Sequence, residues 1–237
     1  MCILADIFVA FCELSMQDYG LDPKHYITLP SYSSDCMLRY TSIQLELICE
    51  PDMALFVESS IRGGISVVTS RLATANNPLV DGYDVTKPTS YVCYYDAVNL
   101  YGATMIKQLP VGDFRFLSEE EIASFDIAKV NPNGSTGYLV QADILYPSEL
   151  HDRHNDLPLC PSHLEITKNI LSDVTIQLGE KHGQKFQPQK KLAPTLENKK
   201  EYICHSSNLK FYIEQGLVLK KYTRFSRLHS LHGWRPT

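Results

Sequence analysis

The run Tyr91-Val92-Cys93-Tyr94-Tyr95-Asp96-Ala97-Val98-Asn99-Leu100-Tyr101-Gly102 decides how the rest of the chain is read. Its aromatic and β-branched start predicts a strand over 91–95, which Asp96 ends. The turn leads into a short helix over 99–108, stopped by Leu109-Pro110. A carboxylate at the carboxyl end of a buried strand, beside a tight turn, is a rigid place for a metal ion. Backbone N–H groups of the turn and of the helix start face the same spot and suit a phosphate. The plainer reading is that Asp96 caps the following helix. Spacing alone favours the cap.

About thirty residues earlier stands Ile61-Arg62-Gly63-Gly64, followed by the β-branched run Ile65-Ser66-Val67-Val68. Adjacent glycines let a backbone approach a ligand, and a guanidinium fork seeks phosphate. An ordinary hairpin turn explains the same residues. Upstream, residues 36–49 and 51–60 read as short helices, with Pro51 at a permitted first-turn position. A loop covers 18–35. Helix 1–17 carries the stripe Ile3, Leu4, Ile7, Phe8, Phe11 and Leu14, which predicts a buried helix.

Downstream, Glu119–Phe125 predicts a helix with its acids early, as the dipole prefers. Asn131-Pro132-Asn133-Gly134 is a turn, Tyr138–Leu145 an alternating strand, and 147–161 a loop. Residues 180–198, rich in Lys, Gln and Pro, read as a linker or exposed insertion. Tyr202–Cys204 and Leu217–Tyr222 are strands around a helix at Ser207–Gln215 that Gly216 ends. Helices and strands mixed in this order predict an α+β or mixed α/β domain.

The chain has 237 residues, 44% of them hydrophobic, which excludes a disordered tail or a disulfide miniprotein. Its net charge of -5 argues at first sight against a nucleic-acid binder. The distribution argues otherwise. Residues 1–180 hold 10 Lys/Arg and 24 Asp/Glu, whereas residues 181–237 hold 12 and 3. A basic quarter on an acidic body is compatible with a phosphate-facing surface, and also with a merely solvated face. Seven scattered cysteines without a Cys-x-x-Cys pair look like free thiols of a reducing, intracellular compartment. The apolar stretch 1–14 is too short to span a bilayer, and no signal peptide or membrane segment is read. His151-x-x-His154 followed by Cys160-x-x-His163 has a spacing that invites zinc, against which stand Pro158, Pro161 and the missing second Cys pair.

Taken together, the segments resemble family B DNA polymerases, specifically the protein-primed branch of phages, linear plasmids and virus-like transposons. Motif A of that family, Asp-x-x-(Ser/Asn)-Leu-Tyr-(Pro/Gly), is matched by Asp96, Asn99, Leu100, Tyr101 and Gly102. Its Tyr-x-Gly-Gly motif is matched by Arg62-Gly63-Gly64, with Ile61 where tyrosine is usual. The stretches 109–113, 149–156 and 208–212 resemble the virus-like subgroup. The Tyr-x-x-x-Asp exonuclease motif is expected immediately before Cys2, and the motif B lysine and motif C Asp-Thr-Asp after residue 237. The chain is thus expected to be an internal fragment, inactive alone.

The resemblance implies four regions. Residues 1–50 end a 3′–5′ exonuclease domain, and 51–112 start the polymerase palm. Residues 113–200 form an insertion that meets a priming protein, and 201–237 continue the palm. It implies that Asp96 is a catalytic carboxylate holding Mg²⁺, and that Ala97, Val98, Asn99, Leu100 and Tyr101 receive a deoxynucleoside triphosphate. Tyr101 would be the steric gate against ribose; without the resemblance it reads as a core aromatic. Arg62, Gly63 and Gly64 would contact template or primer DNA. The implied partners are DNA, deoxynucleoside triphosphates and a terminal priming protein, with no membrane, and a nucleus if the element is eukaryotic. The alternatives are a non-catalytic remnant of a mobile element that binds nucleic acid or protein, and a zinc-dependent interaction module.

Overall fold

An inner strand of the main sheet begins two residues after Gly134 and is buried at every second position over most of its length. The computed structural model describes residues 2–70, 72–132 and 134–231. Helices are α1 (Cys2–Tyr19), α2 (Leu29–Thr41), α3 (Pro51–Ser60), α4 (Leu100–Met105), α5 (Glu119–Ala123), α6 (His151–His154), α7 (Asp173–Lys181) and α8 (Ser206–Glu214). Strands are β1 (Leu109–Phe116), β2 (Thr136–Leu145), β3 (Ser162–Ile166), β4 (Gln189–Ala193), β5 (Lys199–His205) and β6 (Val218–Leu231). Four of them make an antiparallel sheet in the order β1-β6-β2-β5, and β3 pairs β4 in a separate ribbon. The fold is α+β.

Both faces of this sheet are covered. On one face Val140, Ala142 and Ile144 of β2 meet Leu209 of α8, Leu217 and Phe225. Phe125 closes that side, its ring 4.5 Å from Phe225 and 5.0 Å from Tyr138. On the other face Leu139, Ile203 and Leu228 pack under Phe56 of α3. Fully burying each such side chain is worth about 1.5–3 kcal/mol, so this double-sided packing dominates the stability. Register shifts between Gln141 and Ala142 and between Asp143 and Ile144 bend β6 across β2.

Local chemistry sets the ends. Pro51 opens α3, and Ser118 and Glu121 form a reciprocal capping box on α5. Gly216 takes a φ of +102°, a conformation strained for any residue with a Cβ, and so ends α8.

Several expectations are corrected. Tyr91–Tyr95 forms no strand, and Tyr94 and Tyr95 are 90% and 88% exposed. Strand propensity is realised only against a neighbour, and among the described residues none lies alongside. Helix α1 forms, yet Ile3, Leu4, Ile7 and Leu14 face solvent, and only Cys12 and Ser15 among its described side chains are buried. The helix expected at 36–49 instead starts at Leu29, capped by Thr28, and ends where Ser42 turns left-handed at φ 55°. The stretch read as linker contributes β4 and the end of α7. Residues 65–68 join no strand. The sheet crosses the boundary drawn at residue 200, since β2 lies between β5 and β6. Residues 232–237 and Asn133 of the expected turn lie outside the described residues. No helix among them is long and apolar enough to cross a membrane.

Candidate nucleotide site around Asp96

Asp96 lies in the irregular segment before α4, exposed to solvent. Among the described residues it makes no hydrogen bond or ion pair. The cap of α4 is Asn99, not Asp96. Asn99 sits left-handed at φ 52°, and its Oδ1 accepts the Gly102 N–H at 3.1 Å. A Cβ at Gly102 would lie 2.5 Å from Asn99 Nδ2, so this cap requires glycine there. The turn therefore spends the Gly102 N–H on its own side chain, and the Ala103 N–H on the Asn99 carbonyl at 3.0 Å. A phosphate meets fewer open amides here than the sequence suggests.

Ala97, Val98, Leu100 and Tyr101 are all exposed. Tyr101 is 88% exposed, which removes the core-aromatic reading. Val98, Asn99 and Gly102 line an open apolar groove of about 840 Å³ together with Tyr32, Cys36 and Tyr40 of α2. Sequence reasoning missed those three residues, because nothing local in 29–41 points towards a segment sixty positions away. Asp96 and Tyr101 themselves do not line the groove.

The structure does not bring Arg62 to Asp96 through any hydrogen bond or ion pair among the described residues. Arg62 reaches β5 instead. Its Nη1 donates to the Ile203 carbonyl at 2.6 Å and to the Ser60 carbonyl at 3.1 Å. Its guanidinium carbon lies 4.0 Å from the centroid of the Tyr202 ring. Burial raises the Tyr202 hydroxyl and pushes both the Cys204 thiol and the Tyr212 hydroxyl up to about 12. This corner is therefore uncharged apart from the guanidinium. A Cβ on Gly63 or Gly64 would meet nothing within 4 Å, and neither has a left-handed φ, so nothing inside the chain demands glycine at these exposed positions.

The histidine-cysteine segment is built into the fold. His154 is buried with Nδ1 2.8 Å from the Tyr146 hydroxyl, which also accepts the Leu159 N–H at 3.2 Å. Cys160 is fully buried in the core, where burial raises its thiol, while His163 is exposed on β3. Among the described residues no three of His, Cys, Asp and Glu stand together as metal donors. For Mg²⁺ the donor set is a single carboxylate, Asp96. That is one ligand of a two-ion centre, and by itself it does not fit paired Mg²⁺. No family model matches the chain, no curated protein matches it, and no solved structure matches its fold.

Proposed function

We propose that this chain carries the motif A portion of a family B DNA polymerase of the protein-primed branch, a template-directed nucleotidyltransferase. One observation carries the reading: in Asp96-x-x-Asn99-Leu100-Tyr101-Gly102, both Asp96 and Tyr101 face solvent and neither is used by the fold. A carboxylate and a tyrosine that serve no cap and no core are left over for a ligand. On this reading Asp96 contributes one metal-binding carboxylate, and Tyr101 meets the sugar edge of an incoming nucleotide.

The test joins the chain to a segment carrying the motif B lysine and motif C carboxylates and measures Mg²⁺-dependent primer extension. Asp96→Ala should lower the rate by on the order of 10³-fold or more, since a carboxylate that would hold Mg²⁺ at the reacting phosphate would be worth several kcal/mol. Retention of more than about a tenth of the rate, well short of that loss, would sink the assignment.

A second reading, a non-catalytic chain that binds nucleic acid or protein, is favoured by Arg62. Its guanidinium is engaged with Ile203 and Tyr202 rather than turned towards Asp96. Full activity of the extended protein would exclude it.

A further inference from the structure

Two apolar surfaces of this chain are open to solvent. The first is the leading half of α1. Residues 3–10 are exposed at every position, Ile3, Leu4, Ile7, Phe8 and Val9 among them. Only the second half of the helix is seated. Cys12 and Ser15 are buried, and the Phe11 ring lies 5.7 Å from that of Tyr32 on α2. Ile3, Ile7, Ala10 and Leu14 recur at spacings of four and three, as in the seam of a helix that meets another surface along its length. Asp6 and Glu13 flank that seam, and α1 contains no Lys or Arg.

The second surface is the apolar groove of about 840 Å³. It is lined from α2, residues 43–45, α4 and the start of β1, and no lining residue is Asp, Glu, Lys, Arg or His. Met37, Leu45, Val98, Met105, Ile106 and Leu109 are exposed along it. Lys107, next in sequence to Ile106, is exposed and makes no ion pair among the described residues. Tyr19 also lines the groove, so the helix that carries the open seam ends there.

We propose that the leading half of α1 lies in the groove of a second copy of this chain, each protomer giving its helix and receiving its partner's about a two-fold axis. Charge selects this pairing. Two α1 seams laid together would bring acids to acids, with no base between them. The groove takes the seam without burying an unpaired charge of its own, and Lys107 beside it offers the acids a counter-charge. A lipid surface fits less well, because helices that lie on membranes carry Lys and Arg on their polar face. The area is adequate. At about 100 Å² for a fully exposed aliphatic side chain, the side chains named on α1 and in the groove offer roughly 600 Å² of apolar surface per protomer. With the roughly 65% apolar share of homodimer interfaces, that corresponds to about 900 Å² per partner. A standard stable interface buries about 800 Å² per partner. The inference does not depend on the polymerase reading.

Sedimentation velocity of the 237-residue chain over a dilution series tests this. The parent should be a dimer that dissociates on dilution. Ile7→Asp on the helix and Met105→Asp in the groove should each be monomeric where the parent is dimeric, with the circular dichroism of a folded chain. Leu45→Asp repeats the groove test outside a helix. Mixing Ile7→Asp with Met105→Asp leaves one intact helix–groove contact, so the mixture should form a dimer that neither variant forms alone, weaker than the parent's. A parent that is monomeric at every concentration up to its solubility limit would overturn the proposal and leave the groove to another polypeptide. So would groove variants that dimerise as the parent does, since α1 then pairs with itself, and so would a mixture in which no dimer returns. Asp96→Asn should leave the dimer intact, so failure here and failure of the polymerase reading are separate results.

Discussion

Replacing Arg62 with alanine removes the tie between the end of α3 and the far edge of the sheet. The bond from Nη1 to the Ile203 carbonyl spans 141 positions of sequence at 2.6 Å. Hydrogen bonds of a charged group contribute about 1.5–3 kcal/mol. The approach to the Tyr202 ring at 4.0 Å adds about 0.5–2 kcal/mol, the upper end applying only where water is excluded. Arg62 is half-buried, so the lower halves of both ranges apply, and Arg62→Ala should cost about 2–3 kcal/mol. That is a large share of the roughly 5–15 kcal/mol typical of a folded domain.

A double-mutant cycle with Tyr202→Leu isolates the ring interaction. Urea unfolding followed by far-ultraviolet circular dichroism should give a coupling of about 0.5–1.5 kcal/mol. Tyr202→Phe is the control. It keeps the ring and loses only the hydroxyl that donates to the Pro161 carbonyl at 3.2 Å, so its coupling to Arg62→Ala should be near zero. A loss under about 0.5 kcal/mol for Arg62→Ala, with no coupling to Tyr202→Leu, would refute the anchoring role and return Arg62 to a ligand-facing one.

Other outcomes follow from single sites. Phe225→Ala, at a ring 0% exposed between Phe125 and Tyr222, should cost about 3–5 kcal/mol in urea unfolding. Burial lowers the His205 imidazole below its ordinary value of 6.5, while its Nδ1 accepts the Ser207 N–H at 3.2 Å as the cap of α8. The unfolded chain therefore takes the proton first. Stability from this group is full above pH 6.5 and is lost as pH falls through the lowered folded value. His205→Asn keeps a capping acceptor without a titrating ring, so the difference between parent and variant unfolding free energies should change over that window and be flat above it. In the extended polymerase, Tyr101→Val should admit ribonucleotides while deoxynucleotide incorporation survives. Unchanged sugar selectivity in a folded, active variant would refute the motif A placement.

What can be read from the sequence is what local chemistry decides. Pro51 and Gly216 each act within one turn, and the boundaries they mark agree with the structure, as does the start of α5 at the acidic Glu119. Alternation over 138–145 marks β2 because Val140, Ala142 and Ile144 are buried while Gln141, Asp143 and Leu145 between them are half-exposed. Strand β6 is half hidden because two register shifts break its period-two pattern and its lysines and arginines resemble a solvated run. Strand β1 hides behind Pro110 and a left-handed Asp113 at φ 60°. Strands β3 and β4 pair across more than twenty intervening residues, so neither advertises the other. Asp96 stands out in the sequence as the end of an expected strand, yet no strand forms at 91–95. The α2 residues that line the groove and the partner of Arg62 come from sequence-distant segments and have no local signal.

The two functional candidates differ in what a substitution can report. From 91 to 111 no described residue is buried, whereas the core is drawn mainly from 139–228 with Met53 and Phe56 of α3. A change at Asp96 or Tyr101 therefore leaves the core intact, and any loss of function it causes is chemical rather than structural. Arg62 is the reverse. Its guanidinium holds β5, so weaker DNA binding and a weaker fold would arrive together in Arg62→Ala. Only the cycle with Tyr202 separates them, because a phosphate interaction has no reason to depend on that ring. The family resemblance implies that Arg62 and Asp96 belong to one site; packing makes one a brace and leaves the other unengaged by the fold.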